Sequence, residues 1–122
     1  MEPTTYFLPL ITDFTALLKA NQSTGVAHID VRTQARTADG HSLYMHYHGR
    51  LKLDEKANKV LGWKSDARNT EYGDHYWFSA PIIETSEPKL KWVEDVMWIG
   101  QGHFVVDESG SAVEYQIYQV EN

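Results

Sequence analysis

From Gly25 to Gly49 the chain alternates between polar and apolar residues, in GVAHIDVRTQARTADGHSLYMHYHG. A period of two predicts two β-strands, because residues two apart in a strand share a face. On the first, His28, Asp30, Arg32, Gln34 and Arg36 fall on one side, and Ala27, Ile29, Val31, Thr33 and Ala35 on the other. On the second, Ser42, Tyr44, His46 and His48 oppose Leu43, Met45 and Tyr47. The segment Ala38-Asp39-Gly40 joins the two. A two-residue Asp-Gly loop would set Arg32 opposite Tyr47 and mix polar with apolar on each face. A three-residue loop pairs Thr37 with His41, places Gly40 in the left-handed conformation that glycine tolerates, and sets Arg32 opposite His46 and Asp30 opposite His48. A one-residue slip would move every side chain to the wrong face, so the coherent register is the prediction.

Strand signals dominate elsewhere too. Tyr6 to Ile11 is a short apolar run. Asp13 to Ala20 is ambiguous, since Asp13 would cap a helix over FTALLKA but the piece is short. Asp54 to Asp74 is polar, contains Gly62 and Gly73, and reads as a loop with one helical turn. His75 to Thr85 is a strand carrying Pro81, which places it at an edge or a bulge. Trp92 to Val106 reads as a strand interrupted by Gly100 and Gly102, marking a bend or a close backbone approach. Asp107 to Ser111 is a turn, and Ala112 to Val120 the last strand. Roughly six strands with short turns predict an all-β, antiparallel sandwich or barrel.

Composition narrows the classes. At 122 residues the chain is expected to be one domain spanning 1–122, and 42% hydrophobic residues suffice for a packed core. There is no cysteine, which excludes disulfides, thiol nucleophiles and zinc–thiolate sites. The net charge is −6, and the positive residues are scattered, so no nucleic-acid or polybasic membrane partner is expected. The start, MEPTTYFLPLITDF, has neither a basic leader nor a long apolar run, so the expectation is a soluble cytoplasmic protein. The Asn21-Gln22-Ser23 sequon then carries no meaning. Aromatic residues make up 12% of the chain. They either fill the core or wall a pocket for a flat apolar ligand, with Trp77, Phe78, Trp92, Trp98 and Tyr115 as the candidates.

The ordered blocks GVAHIDVRTQARTADGHSLYMHYHG, HYWFSAPIIET, Trp92 with VMWIGQG, and VEYQIYQV resemble the domain-of-unknown-function family 3237, small β-barrel proteins of bacteria and fungi. Asp30, Arg32, Asp39-Gly40 and Gly49 fit its first block, Tyr76, Ala80-Pro81 and Glu84-Thr85 its second, and Trp92 and Gly100 its third. The resemblance runs from about Asp13 to Val120. It implies an antiparallel, barrel-like fold of the lipocalin or calycin kind, with a central cavity and often an oligomer. It implies no single activity; fungal relatives among secondary-metabolite proteins suggest a cofactor-free isomerase or cyclase, by analogy of fold alone. Two departures stand out. Relatives usually begin with additional glycine-rich strands, which leaves this barrel with exposed edges and predicts a homodimer. His46 and His48 depart from the family's pattern.

Three functional readings follow. If the polar stripe faces inward, Asp30, Arg32, His46, His48 and Tyr44 converge as acid–base machinery: an imidazole poised by a carboxylate, an arginine to stabilise an enolate or phenolate, and a phenol to donate a proton. That set suits isomerisation or cyclisation of an aromatic or polyketide-like molecule without a cofactor. If the stripe faces water, it is the ordinary polar side of an antiparallel sheet, and a non-catalytic carrier of a small apolar or aromatic molecule is the alternative. The third reading is metal-dependent. His46-x-His48 puts two imidazoles on one side of a strand, as in cupin barrels, with His103 as a third ligand. Glu55 and Gly62 echo the cupin motif, but Glu55 is too far from His48 to complete it, and a second motif is absent. Glu84 and Glu114 are candidate cavity carboxylates.

Overall fold

Strands form where the alternation holds. The computed structural model describes the backbone of residues 3–9 and 14–21, and all atoms of residues 25–122. The elements are β1 (Pro3–Pro9), β2 (Phe14–Asn21), β3 (Val26–Arg36), β4 (Ser42–Lys52), helix α1 (Glu55–Leu61), β5 (Trp77–Thr85), a 3-10 helix (Pro88–Asp95), β6 (Trp98–Asp107) and β7 (Gly110–Gln119). All seven strands belong to one antiparallel sheet in the order β1-β7-β6-β5-β4-β3-β2. The alternation predicts about six strands and does not decide between helix and strand after Asp13. Asp13 itself lies outside the described residues, and Phe14–Asn21 is a strand paired with β3.

The sheet is curved. The two edge strands follow each other in the chain, Pro9 ending one and Phe14 starting the other. Five residues reach about 18 Å at most. A flat sheet of seven strands would separate its edges by about 29 Å, so the sheet must bend round towards itself. Among the described residues no ladder joins β1 to β2, so it is barrel-like without being strictly closed.

The hairpin register is the one that the turn chemistry demands. Thr37 N donates to His41 O (2.8 Å), Gly40 N donates to Thr37 O (3.0 Å), and Gly40 has φ +88°. Arg32 therefore pairs with His46 and Asp30 with His48.

The apolar face of this hairpin turns inward. Ala27, Ile29 and Val31 of β3 and Met45, Tyr47 and Leu51 of β4 are buried, together with Trp77 and Ile83, Trp98 and Phe104, and Val113, Tyr115 and Ile117. Helix α1 adds Ala57 and Val60. It starts where Asp54 Oδ1 accepts from Ala57 N (2.8 Å), a side-chain cap for an otherwise unpaired donor.

One reading of the second half is corrected, and the edge position expected for Pro81 is observed. Trp92 is not in a strand: the sequence from Pro88 winds into the 3-10 helix, which proline can open because its missing N–H has no partner there in any case. The next strand begins only at Trp98. Pro81 falls where β5 has lost β6 as a neighbour, since the two pair only at Phe78–Gln101 and Ser79–Gly100. The 3-10 helix covers this seam, tied by Glu94, which accepts from Thr85 N (3.1 Å), and by Trp98 Nε1, which donates to Val93 O (3.0 Å).

Candidate functional site

The stripe assembles but faces outward. Arg32 and His48 are exposed, and Asp30 and His46 keep 27% and 21% of their side chains open. The expectation that this stripe lines an enclosed hollow is overturned. Burying the opposite face removes Ile29, Val31, Met45 and Tyr47 from water, which outweighs sheltering groups that are well solvated.

Within the stripe the geometry is specific. Asp30 Oδ1 contacts His46 Nε2 (2.9 Å) and accepts from Arg32 Nη1 (3.2 Å). The rings of His46 and His48 lie 4.6 Å apart. The hydrogen bond from His46 and then the Arg32 charge hold the Asp30 carboxyl below its ordinary range. Tyr44 sits farther along the same face, opposite Glu84. It lines an open cleft of about 360 Å³ with Glu84, Lys91 and Glu94.

Asp30, His46 and His48 bring ligand atoms within 4.8 Å of one another. The metal-dependent set is nevertheless incomplete. His103 lies on β6, where its ring nitrogens contact Thr70 O and Glu114 Oε1. Glu55 is on α1 and pairs with Lys59. The Arg32 guanidinium already occupies the Asp30 carboxylate. Of the two candidate cavity carboxylates, Glu84 is exposed on the outer face and Glu114 is held by His103 and Tyr72.

The interior offers a different site. A half-enclosed pocket is lined by Met45 and Tyr47, Ser79, Pro81 and Ile83, and Tyr115 and Ile117. Its free volume is about 20 Å³, room for one water. It borders the β5 residues that lack a β6 partner. Two phenols form its floor: the Tyr47 and Tyr115 rings meet edge to face at 5.3 Å, and Trp77 Nε1 donates to Tyr115 Oη (3.2 Å). Burial pushes the Tyr115 hydroxyl up to about 12 and raises Tyr47 further.

Of the five aromatic residues read as pocket walls, Tyr115 alone lines this pocket. Trp77 and Trp98 are buried in the core. Phe78 is on the outer face against Tyr76, one residue out of phase with Trp77. Trp92 is exposed on the 3-10 helix, 5.8 Å from Trp98. Aromatic type said nothing about which way each ring points. The residues missed, Met45, Tyr47, Ser79, Ile83 and Ile117, share the inward parity of their strands, and that parity was the available signal.

Fold and site together define a small barrel-like β-protein with an apolar interior and a charged outer ribbon. Residues 13–120 match the family model described as protein of unknown function DUF3237, and the chain belongs to that family. Solved structures agree in fold. A beta-barrel like protein from Acinetobacter baumannii AYE is similar at 18% identity and TM-score 0.64, covering 98% of this chain and 94% of that one. A conserved protein of unknown function from Rhodopseudomonas palustris is similar at 14% identity and TM-score 0.62, over 97% of this chain and all of that one. A protein with unknown function from Clostridium acetobutylicum ATCC 824 is similar at 16% identity and TM-score 0.63, over 91% of this chain and 68% of that one. No curated protein matches. Among the described residues no helix is long and apolar enough to cross a membrane.

Proposed function

We propose that this protein binds a small, largely apolar molecule in the interior pocket and acts as a carrier. The observation behind this reading is the pocket itself: an apolar lining over a Tyr47–Tyr115 floor, beside the seam where β5 and β6 are no longer hydrogen-bonded. Apolar lining with a few polar groups is what small-molecule sites share. Neither phenol ionises near neutrality, so the floor offers hydrogen bonds and no ready base. The pocket holds one water as it stands, so any organic ligand requires the seam to part, and small rigid rings are the natural first probes. The test is a methyl NMR titration with benzene, phenol and cyclohexanol. Shifts centred on Met45, Ile83 and Ile117, abolished in a pocket-filling Ile117→Phe variant, support the reading. Absence of binding, or equal binding by the filled variant, sinks it.

The acid–base reading keeps one observation in its favour, the Asp30–His46 contact at 2.9 Å beside the Tyr44 cleft. It now describes isomerase or cyclase chemistry at an open surface, where water competes for each proton. Under that reading His46→Ala and Asp30→Asn abolish turnover and largely spare binding; under the carrier reading they change neither.

Homodimerisation is the corresponding assembly proposal, supported by the edge positions of β1 and β2. Light scattering at micromolar concentration reads it directly, and a monomer overturns it.

A further inference from the structure

A second group of ligand-type side chains lies at the opposite end of the hairpin from α1, next to the Tyr44 cleft, whose lining includes Ser42, Thr85 and Ser86. Asp39 and His41 flank Gly40 in the turn, and Glu87 follows β5, 46 positions beyond His41 in the chain. One carboxylate oxygen from each acid and one imidazole nitrogen lie within 4.8 Å of one another. Glu87 is the unusual member. Its side chain is only 9% exposed, yet Oε2 accepts no hydrogen bond among the described residues. That oxygen sits 2.8 Å from His41 Nε2 without the alignment that a hydrogen bond needs, and Asp39 Oδ2 is 3.9 Å from the same nitrogen. A buried, unsatisfied carboxylate oxygen costs free energy that something must offset.

The remaining oxygens of both acids are already committed. Thr37 Oγ1 donates to Asp39 Oδ1 (2.6 Å), and Lys89 N donates to Glu87 Oε1 (3.2 Å). These are the outer partners that orient metal ligands. The corner carrying Glu87 is strapped to β4: Ser86 N and Thr85 Oγ1 both donate to Ser42 O (3.0 Å each), Ser42 N donates to Ser86 Oγ (2.9 Å), and Glu87 N donates to Thr85 Oγ1 (3.0 Å). Asp39 Oδ2, His41 Nε2 and Glu87 Oε2 are thus left to converge. In a tetrahedral zinc site with ligands at about 2.1 Å, neighbouring ligand atoms stand about 3.4 Å apart. The observed 2.8 and 3.9 Å bracket that spacing.

We propose that Asp39, His41 and Glu87 bind one divalent transition-metal ion of the zinc class, which ties the hairpin turn to the corner after β5. An imidazole with two carboxylates favours such an ion over magnesium or calcium, which prefer all-oxygen sites. Three protein ligands leave the fourth position to water. The alternative occupant of the gap is a proton on His41, bridging the two acids as an ion pair.

Calorimetric titration of chelator-treated protein with zinc chloride, and the visible spectrum of the cobalt(II) form, separate the two. The proposal predicts one equivalent of zinc and a tetrahedral cobalt spectrum. Glu87→Gln and His41→Asn should each weaken binding about a hundredfold or more, beyond the ~10–100-fold that outer partners supply. A His46→Ala, His48→Ala double variant should bind as the parent does. If Glu87→Gln fails to fold, the cobalt spectrum of His41→Asn decides, because His41 is half-exposed. No zinc uptake, uptake indifferent to His41 and Glu87, or uptake lost with His46 and His48 overturns the proposal.

Discussion

The indole of Trp77 lies directly on the backbone of Gly102: a Cβ built there would stand 2.5 Å from Trp77 Cε2. The ring cannot easily yield, since its Nε1 is bonded to Tyr115 Oη. Gly102→Ala is therefore expected to destabilise the fold by about 2 kcal/mol or more through overpacking. Urea denaturation measures the loss. A variant as stable as the parent would show that the ring is free to move.

Asp54 serves two neighbours. One carboxylate oxygen caps α1 at Ala57 N, and the other contacts His75 Nδ1 at 2.6 Å. The His75 side chain is fully buried, and its Nε2 already lacks a partner among the described residues. Asp54→Ala should cost about 2–4 kcal/mol, from the lost cap and from a ring left without acceptors. Asp54→Asn, which keeps an acceptor for the cap, should cost distinctly less in the same denaturation series.

The depressed Asp30 carboxyl makes acid stability asymmetric. Its ordinary value is 3.8, and in the fold His46 and Arg32 hold it lower. A carboxyl lowered on folding contributes stability that is present above the unfolded value and lost as pH falls through the folded one. Asp30→Asn should thus narrow the stability difference between pH 6 and pH 3. Melting temperatures across that range test it, and an unchanged acid limb would count against the Asp30–His46 contact.

Alkaline titration reports on the pocket floor. Burial raises Tyr47, Tyr72 and Tyr115 above the ordinary 10.0, Tyr115 to about 12. These phenols favour the neutral form in the fold, so the stability they contribute holds below pH 10 and is lost as pH rises through their folded values. Phenolate absorbance should show at least three of the seven tyrosines ionising late. Tyr115→Phe should remove one late ioniser.

The hairpin register was legible because the turn and the alternation constrain each other: the left-handed Gly40 and the pairing of Thr37 with His41 leave one consistent set of partners. The direction of the hairpin was not decided by those rules. Alternation sorts residues into two faces, and only the rest of the molecule says which face is covered. With one curved sheet and a seven-residue helix, little is available to cover an outer face, so Ile29, Val31, Met45 and Tyr47 had to take the inner one. Phe78 and Trp92 misled for a related reason, since an aromatic ring suits a pocket wall, a core or a surface equally well. The approach of Glu87 to His41 links distant parts of the chain, and no local pattern announces it.

Two ladder positions, Phe78 and Ser79, are all that stitch β5 to β6. Every other join in the sheet runs for seven or more positions. Breathing motions should therefore unzip the wall at this short join first, and the Ile83 amide, which faces it, should exchange with deuterium ahead of those in the β3–β4 ladder. The weakest lacing of the barrel thus runs beside its interior pocket.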